Sequence, residues 1–399
     1  MCLDWIRNII QPPSSSQTGS SGSSLQPHIN RVKLLLLGIA QVGKTTIIRN
    51  LTVNFQRYDE ARKQTVPAIT AEKLQSYGNR LRQNVIRNME ILLDEMNKFG
   101  YRIQDDEMLR KAEELRELIG DSHNFAEREI SDEEMQQAKS LIENLWADEM
   151  IQKTFNRRTE FYIGDNVQYL IRRLDALAEP SYIPTNEDIM HLRSPTTQEH
   201  TYSFYIDGIV IELTDLGGVE GTETARSAAF ALQWLNRNAV YTNRNTVCGI
   251  LYIASLADYN KTNFAQTHAH RGFVSRLDCS VQLFRLLVQM VNDQNLSSIQ
   301  FITFLNKEDL FAESLEEFND FDLIAPSISN VQEATDRLKE RFHHTYANQR
   351  AIQNAPNLFI MTTQATSIQQ LPLLFAAAKK LICDEHLKRV MNRHIRRGR

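Results

Sequence analysis

Apolar residues run along this chain in two textures. Arg31 to Gly38, RVKLLLLG, is a short continuous apolar run closed by glycine, which predicts a strand buried on both faces of a parallel sheet. Thr45 to Val53 follows with helical length and no breaker. From about residue 60 to 180 the texture changes. Asp105 to Leu118, Glu133 to Trp146 and Asn166 to Leu177 carry apolar residues three and four apart among many charges, which predicts amphipathic helices packed on one another. Ser131-Asp132-Glu133-Glu134 has the S-x-x-E form of a capping box and predicts a helix start. After residue 200 short apolar runs return, at Tyr202 to Leu213, Val247 to Ile253, Ile299 to Leu305 and Leu358 to Met361, alternating with longer helical stretches. That alternation predicts a doubly wound α/β sheet with ligands bound beyond the carboxyl ends of its strands.

The expected layout is a flexible N-terminal segment at 1–30, rich in Pro, Ser and Gly after Pro12; an α/β domain formed by 31–58 and 186–399; and an inserted all-helical domain at 59–185. With 399 residues, 42% of them hydrophobic, there is enough chain for two cores. The formal net charge of −4 argues against a dedicated nucleic-acid binder. The basic end, Lys388-Arg389 and Arg393 to Arg399, reads either as a solvated helix end or as a contact for acidic lipid or an acidic partner. Cys2, Cys248, Cys279 and Cys383 form no CxxC pair, so neither a zinc site nor a disulfide framework is suggested. No stretch approaches the roughly 20 apolar residues that span a bilayer. Membrane contact is therefore expected to be peripheral, and Cys2, beside Leu3, Trp5 and Ile6, is either an ordinary thiol or an S-acylation site.

Two motifs bring chemistry. Gly38-Ile39-Ala40-Gln41-Val42-Gly43-Lys44-Thr45 matches G-x-x-x-x-G-K-[ST] between a predicted strand and a predicted helix. There, backbone N–H groups curl round a phosphate at a helix N-terminus, the lysine neutralises β and γ charge, and the threonine hydroxyl suits Mg²⁺. Asn306-Lys307-Glu308-Asp309 has the N-K-x-D form and follows the predicted strand Ile299 to Leu305. A carboxylate accepts hydrogen bonds only, so Asp309 matches the two donors of guanine's Watson–Crick edge, where adenine offers an acceptor at one of those places.

With LLLLG, FNR at Phe155 to Arg157, YIPT at Tyr182 to Thr185, DLGG at Asp215 to Gly218, LADY at Leu256 to Tyr259 and FLNKEDLF at Phe304 to Phe311 in this order, the chain resembles heterotrimeric G-protein α subunits from about residue 31 to 385. The resemblance implies a Ras-like P-loop GTPase with an inserted all-α domain that cycles between GDP and GTP to transmit receptor signals. It implies GTP/GDP and Mg²⁺ as cofactors, and a βγ dimer, a G-protein-coupled receptor and a downstream effector as partners. It places the chain at the cytoplasmic face of the plasma membrane. It makes Arg193 the built-in arginine finger, Thr196 the switch-I threonine on Mg²⁺, Asp215 the carboxylate that holds the metal through water, and Gly218 the glycine that senses the γ-phosphate. It also puts Thr46, Asp165, Leu192, Lys307, Thr363, Ala365 and Thr366 around the nucleotide. Lys44, Arg193 and Gly218 would serve hydrolysis directly.

The departures converge on hydrolysis. Val219 stands where the family has the glutamine that orients water, Ala40 where most members have glycine, and Gln41 where a glutamate pairs with the arginine finger. Slow hydrolysis with binding retained is the expectation, with Glu220 as a possible substitute for positioning water. The alternative is a nearly non-hydrolysing, GTP-bound interaction module independent of βγ. The segment Val219 to Thr246 is longer than the family's switch II, and a Ser/Gly linker lies where a βγ-gripping helix is usual.

Overall fold

The computed structural model describes residues 31–59, 63–66, 69–120, 125, 128–194, 199–215, 224–239, 246–262, 274–294, 296, 299–349 and 357–397. Cys2, Thr196, Gly218, Val219 and Glu220, with the whole segment 1–30, lie outside them. The chain forms two compact units: Ile69–Pro195, and the residues before and after it in sequence.

The sheet unit begins with β1 (Arg31–Leu37), α1 (Lys44–Asn54), β2 (Arg57–Asp59) and β3 (Gln64–Val66). The second unit is helical, with α2 (Ala71–Lys98), α3 (Asp106–Ile119), α4 (Asp132–Ala147), α5 (Glu149–Phe155), α6 (Val167–Arg172), α7 (Leu174–Ala178) and α8 (Asn186–Met190). The chain then returns to the sheet unit with β4 (His200–Ile206), β5 (Ile209–Asp215), α9 (Thr224–Ala239), β6 (Thr246–Ser255) and α10 (Arg276–Asp293). It continues through β7 (Gln300–Asn306), α11 (Glu308–Phe318), α12 (Val331–Gln349), β8 (Phe359–Thr363) and α13 (Gln370–Arg397). No described helix is long and apolar enough to cross a membrane.

The eight strands lie in the order β3-β2-β4-β5-β1-β6-β7-β8. From β5 to β8 all neighbours are parallel, and these central strands are apolar on both faces. Val32, Leu35 and Leu36 are fully buried, as are Ile250 to Ile253 in β6 and Phe301 and Phe304 in β7. Each such side chain contributes about 1.5–3 kcal/mol by leaving water. The aromatic rings of Tyr252, Phe284, Phe301 and Phe342 pack edge-on or tilted against one another between the sheet and helices α10 and α12.

The run expected as one strand, Tyr202 to Leu213, is a hairpin: β4 and β5 pair antiparallel through Asp207 and Gly208. Both turn residues have positive φ, 47° and 79°, the condition of a type I′ turn, and Asp-Gly is the dipeptide that favours it. Lys379 of α13 binds this turn, donating to Asp207 Oδ2 at 2.7 Å and to the Ile206 carbonyl at 3.3 Å.

In the helical unit α2 supplies the spine. Leu81, Val85, Met89, Leu92 and Met96, three or four apart, are buried and pack with Leu141 and Leu145 of α4 and with Leu170 and Leu177. The capping box at Ser131 is formed in both directions, Glu134 N–H to Ser131 Oγ and Ser131 N–H to Glu134 Oε2. The helix expected from Asn166 to Leu177 is two short ones that meet at Arg173.

Candidate functional site

The chain order reverses at β1: β4 and β5 lie on one side of it, and β6, β7 and β8 follow on the other. Register aligns the strand ends, Leu36 opposite Asp215, Leu37 opposite Tyr252, Ser255 opposite Asn306 and Asn306 opposite Thr363. The loops that leave those ends therefore converge, and such a reversal is where open α/β sheets bind ligands.

The loop after β1 is shaped by its two glycines. Gly38 has φ +150°, and a Cβ there would lie 2.2 Å from the Ile253 carbonyl oxygen. Gly43 has φ +103°, and a Cβ there would lie 2.2 Å from Asn306 Nδ2. Any larger residue would push the loop off β6 or off β7. Between them Ile39, Ala40 and Val42 are buried, and Gln41 sits at φ 65° with its Nε2 buried and without a hydrogen-bond partner among the described residues. Gly43 caps α1, whose first turn carries Lys44, Thr45 and Thr46. The N–H groups of a helix's first turn suit an anion at its N-terminal end.

Lys44 is buried and donates to the carbonyls of Gly38 and Ile39, each at 2.8 Å, so the ammonium holds the curl of the loop. Burial pushes its pKa down to about 8, Arg276 works in the same direction, and the carboxylate of Asp215 works against them. Arg276, at the start of α10, reaches the Ala40 carbonyl at 2.6 Å and Asp258 Oδ2 at 3.3 Å.

The base-side half is joined to this loop by Asn306. Its Nδ2 donates to the Val42 carbonyl at 2.8 Å, while Oδ1 accepts from the Ala365 N–H at 2.9 Å and from Thr363 Oγ1 at 3.2 Å. Asn50 of α1 ties the same stretch from below, donating at 2.9 Å to the carbonyls of Ala365 and Ser367. Lys307 takes φ 62° and turns the chain into α11, whose first turn presents Asp309. Burial pushes the Asp309 pKa up; N–H groups of its own backbone and Leu310, and Gln364 Nε2 at 2.9 Å, oppose that. Thr366 follows, half-buried.

One family profile, described as G-protein alpha subunit, matches residues 13–382. The chain belongs to the G-protein α subunit family. It is 27% identical over 399 residues to the human guanine nucleotide-binding protein subunit alpha-13, covering 98% of this chain and 95% of that protein. It is 24% identical to the alpha-12 subunit of Caenorhabditis elegans, over 90% and 92% of the two chains, and 26% identical to the alpha-2 subunit of Dictyostelium discoideum, over 88% of each. Gα proteins are guanine-nucleotide-binding GTPases of signal transduction, and this divergent chain shares that chemistry.

Of the residues singled out from the sequence, Gly38 to Thr46, Asp215, Asn306, Lys307, Asp309 and Thr363 to Thr366 all lie at the converging strand ends of the sheet unit. Asp165, Leu192 and Arg193 belong to the helical unit. Asp165 is exposed there and Leu192 joins the helical core. The N–H of Arg193 donates to Asn84 Oδ1 at 2.7 Å. Just before it, the His191 carbonyl accepts from Asn166 Nδ2 at 2.8 Å, and the His191 ring stacks on Tyr169 at 3.7 Å. Burial lowers the His191 pKa to about 4, so that imidazole is neutral at physiological pH. Asp188 is held well below the usual carboxylate range by Arg173, Thr185 and Tyr169, although burial opposes them.

Sequence reading missed Asn50, Arg276, Asn84 and Asn166. A buried asparagine on a helix is a legible signal, since it must find partners; Asn50, at the end of Thr45-Thr46-Ile47-Ile48-Arg49-Asn50, offered that signal only weakly, and nothing in the local sequence marks Arg276.

Proposed function

We propose that this Gα chain alternates between GDP and GTP forms to pass a receptor's signal to a downstream effector. A βγ dimer is its further partner, and acylation at Cys2 would hold it peripherally at the cytoplasmic face of the plasma membrane. The observation that carries the reading is the Asn306 bridge: one side chain fixes the phosphate loop at Val42 and the base loop at Ala365. A single ligand with a polyphosphate at one end and a purine at the other fits that coupling, and Asp309 selects guanine.

Magnesium is part of the proposal. The hydroxyls of Thr45 and Thr196 and the carboxylate of Asp215 are the hard oxygen donors that suit it. Asp215 is 1% exposed and its charge reaches Lys44, which supports a site built for compact, opposed charges. Bound there, Mg²⁺ would neutralise phosphate charge. Arg193 would stabilise charge on the transferring phosphoryl group, Gly218 would sense the γ-phosphate, and Val219 would leave the attacking water poorly oriented, so that hydrolysis is slow.

The test is the nucleotide that accompanies the purified full chain. GDP supports a cycling switch. GTP supports the nearly non-hydrolysing module that Val219 and Ala40 favour. A correctly folded chain that binds no guanine nucleotide in the presence of magnesium defeats both.

A further inference from the structure

We propose that Tyr162 is a positioning residue for Arg193, holding its guanidinium in a cradle built wholly within the helical unit. The proposal rests on the reading of Arg193 as the hydrolytic arginine given above.

Three observations converge on that side chain. The Arg193 guanidinium carbon lies 4.8 Å from the centroid of the Tyr162 ring, within cation–π range. The residue two further along from Tyr162 is Gly164, where an added Cβ would lie 3.1 Å from Arg193 Nη1 and 2.4 Å from Asn166 Oδ1. Glycine there leaves the guanidinium room beside the backbone. The main chain is fixed at the same place, with Arg193 N–H on Asn84 and the His191 carbonyl on Asn166. Asn166 is itself held by Asn88, whose Nδ2 donates to its Oδ1 at 3.2 Å. Backbone and side-chain tip are thus restrained by different residues of one unit.

Tyr162 is 41% exposed. A large aromatic ring at the surface gains little from burial there, whereas a ring face beside a cation has a use. A neutral ring face holds the guanidinium without itself adding negative charge to it. In GTP hydrolysis the water oxygen bonds to the γ-phosphorus. The bond to the β–γ bridging oxygen breaks with its electron pair on GDP, and the water's protons pass to phosphate and solvent. A guanidinium already restrained in position stabilises the charge on those oxygens without first losing side-chain freedom.

The experiment is single-turnover hydrolysis of preloaded GTP by the full chain and its Tyr162→Leu, Tyr162→Phe, Arg193→Ala and Tyr162→Leu/Arg193→Ala variants. An exposed cation–π contact corresponds to about a two- to fivefold loss for Tyr162→Leu, restored by the ring in Tyr162→Phe and absent when Arg193 is already alanine. Should Arg193→Ala hydrolyse at the parent rate, the reading of Arg193 fails and the cradle's role falls with it. If Arg193→Ala is slow but Tyr162→Leu is unchanged or faster, or if Tyr162→Leu slows the Arg193→Ala background equally, the cradle alone is overturned. A second readout is independent of turnover: with 15N-labelled arginine, the Arg193 Nε–H resonance, assigned by its loss in Arg193→Lys, should be ring-shifted in the parent and Tyr162→Phe and unshifted in Tyr162→Leu. An unshifted parent resonance also overturns the proposal.

Discussion

Arg276 donates from Nη2 to the carbonyl oxygen of Ala40 at 2.6 Å, joining residues 236 positions apart in the chain. The same guanidinium reaches Asp258, which is 2% exposed. Replacing Arg276 with methionine keeps much of the stem but leaves a carbonyl and a carboxylate short of a donor. A loss of about 2 kcal/mol in unfolding free energy is expected, read as a lower midpoint in urea. GDP should also leave faster, because the backbone of Ala40 loses its brace. A variant as stable as the parent would show that the bond carries no weight.

Lys44 gives a pH signature. Its pKa in the free protein is lowered to about 8, and a bound polyphosphate favours the protonated form, so the nucleotide raises that value. Below pH 8 the lysine is charged with or without ligand, and its contribution to affinity is flat. As pH rises above 8 the free protein gives up the proton that the complex retains, so binding takes up a proton and affinity falls. Calorimetry at pH 8.5 in buffers of different ionisation enthalpy should show that uptake. Lys44→Arg, whose cation does not titrate in this range, should lose it.

Gln364 is expected to matter more in acid than at neutrality. Its amide donates to Asp309 Oδ2 and opposes the upward push of burial on that carboxyl. In Gln364→Leu the pKa should rise further. Guanine needs the ionised acceptor, so affinity falls as pH drops through that value, and in the variant the fall begins at a higher pH. Displacement of a fluorescent GDP should therefore show the two proteins close at pH 7 and the variant weaker at pH 5. A constant ratio across that range would argue against the hydrogen bond as the cause.

Val219 can be tested by restoring an amide. Val219→Gln supplies a group that hydrogen-bonds water, and single-turnover hydrolysis should rise by up to about 10²-fold, the lower end of what a positioned proton-transfer group gives. Nucleotide affinity should stay where it was. If the rate does not move, the deficit lies with Ala40 or Gln41 instead.

How much of this was legible beforehand depends on the range of the interaction involved. The loop from Gly38 to Thr45 and the Asn306-to-Asp309 turn were readable because each is a contiguous string whose chemistry is local. The strand Arg31–Leu37 was readable because Leu34 to Leu37 form an unbroken apolar run that is buried on both faces. The Asp207-Gly208 turn was passed over, although its dipeptide is a strong local signal, because the apolar run continues on both sides of it. The longest helix of the helical unit, Ala71–Lys98, was not singled out, its buried stripe being diluted by buried Arg82, Gln83 and Asn88. Those polar residues find partners far along the chain, as when Arg82 Nε donates to the Leu177 carbonyl at 2.9 Å and Asn88 Nδ2 to Asn166 Oδ1. No window of sequence contains both partners. The same holds for Arg276 with Ala40, and for Tyr162 with Arg193.

Both ends of the Asn306 amide are committed to fixed partners: the nitrogen to the Val42 carbonyl, the oxygen to Ala365 and Thr363. Aspartate has no donor for the first, leucine satisfies neither, and glutamine is one methylene too long for a pocket that already holds Gly43 at its limit. This position therefore tolerates substitution far less than its neighbours, because one side chain does the joinery between two loops.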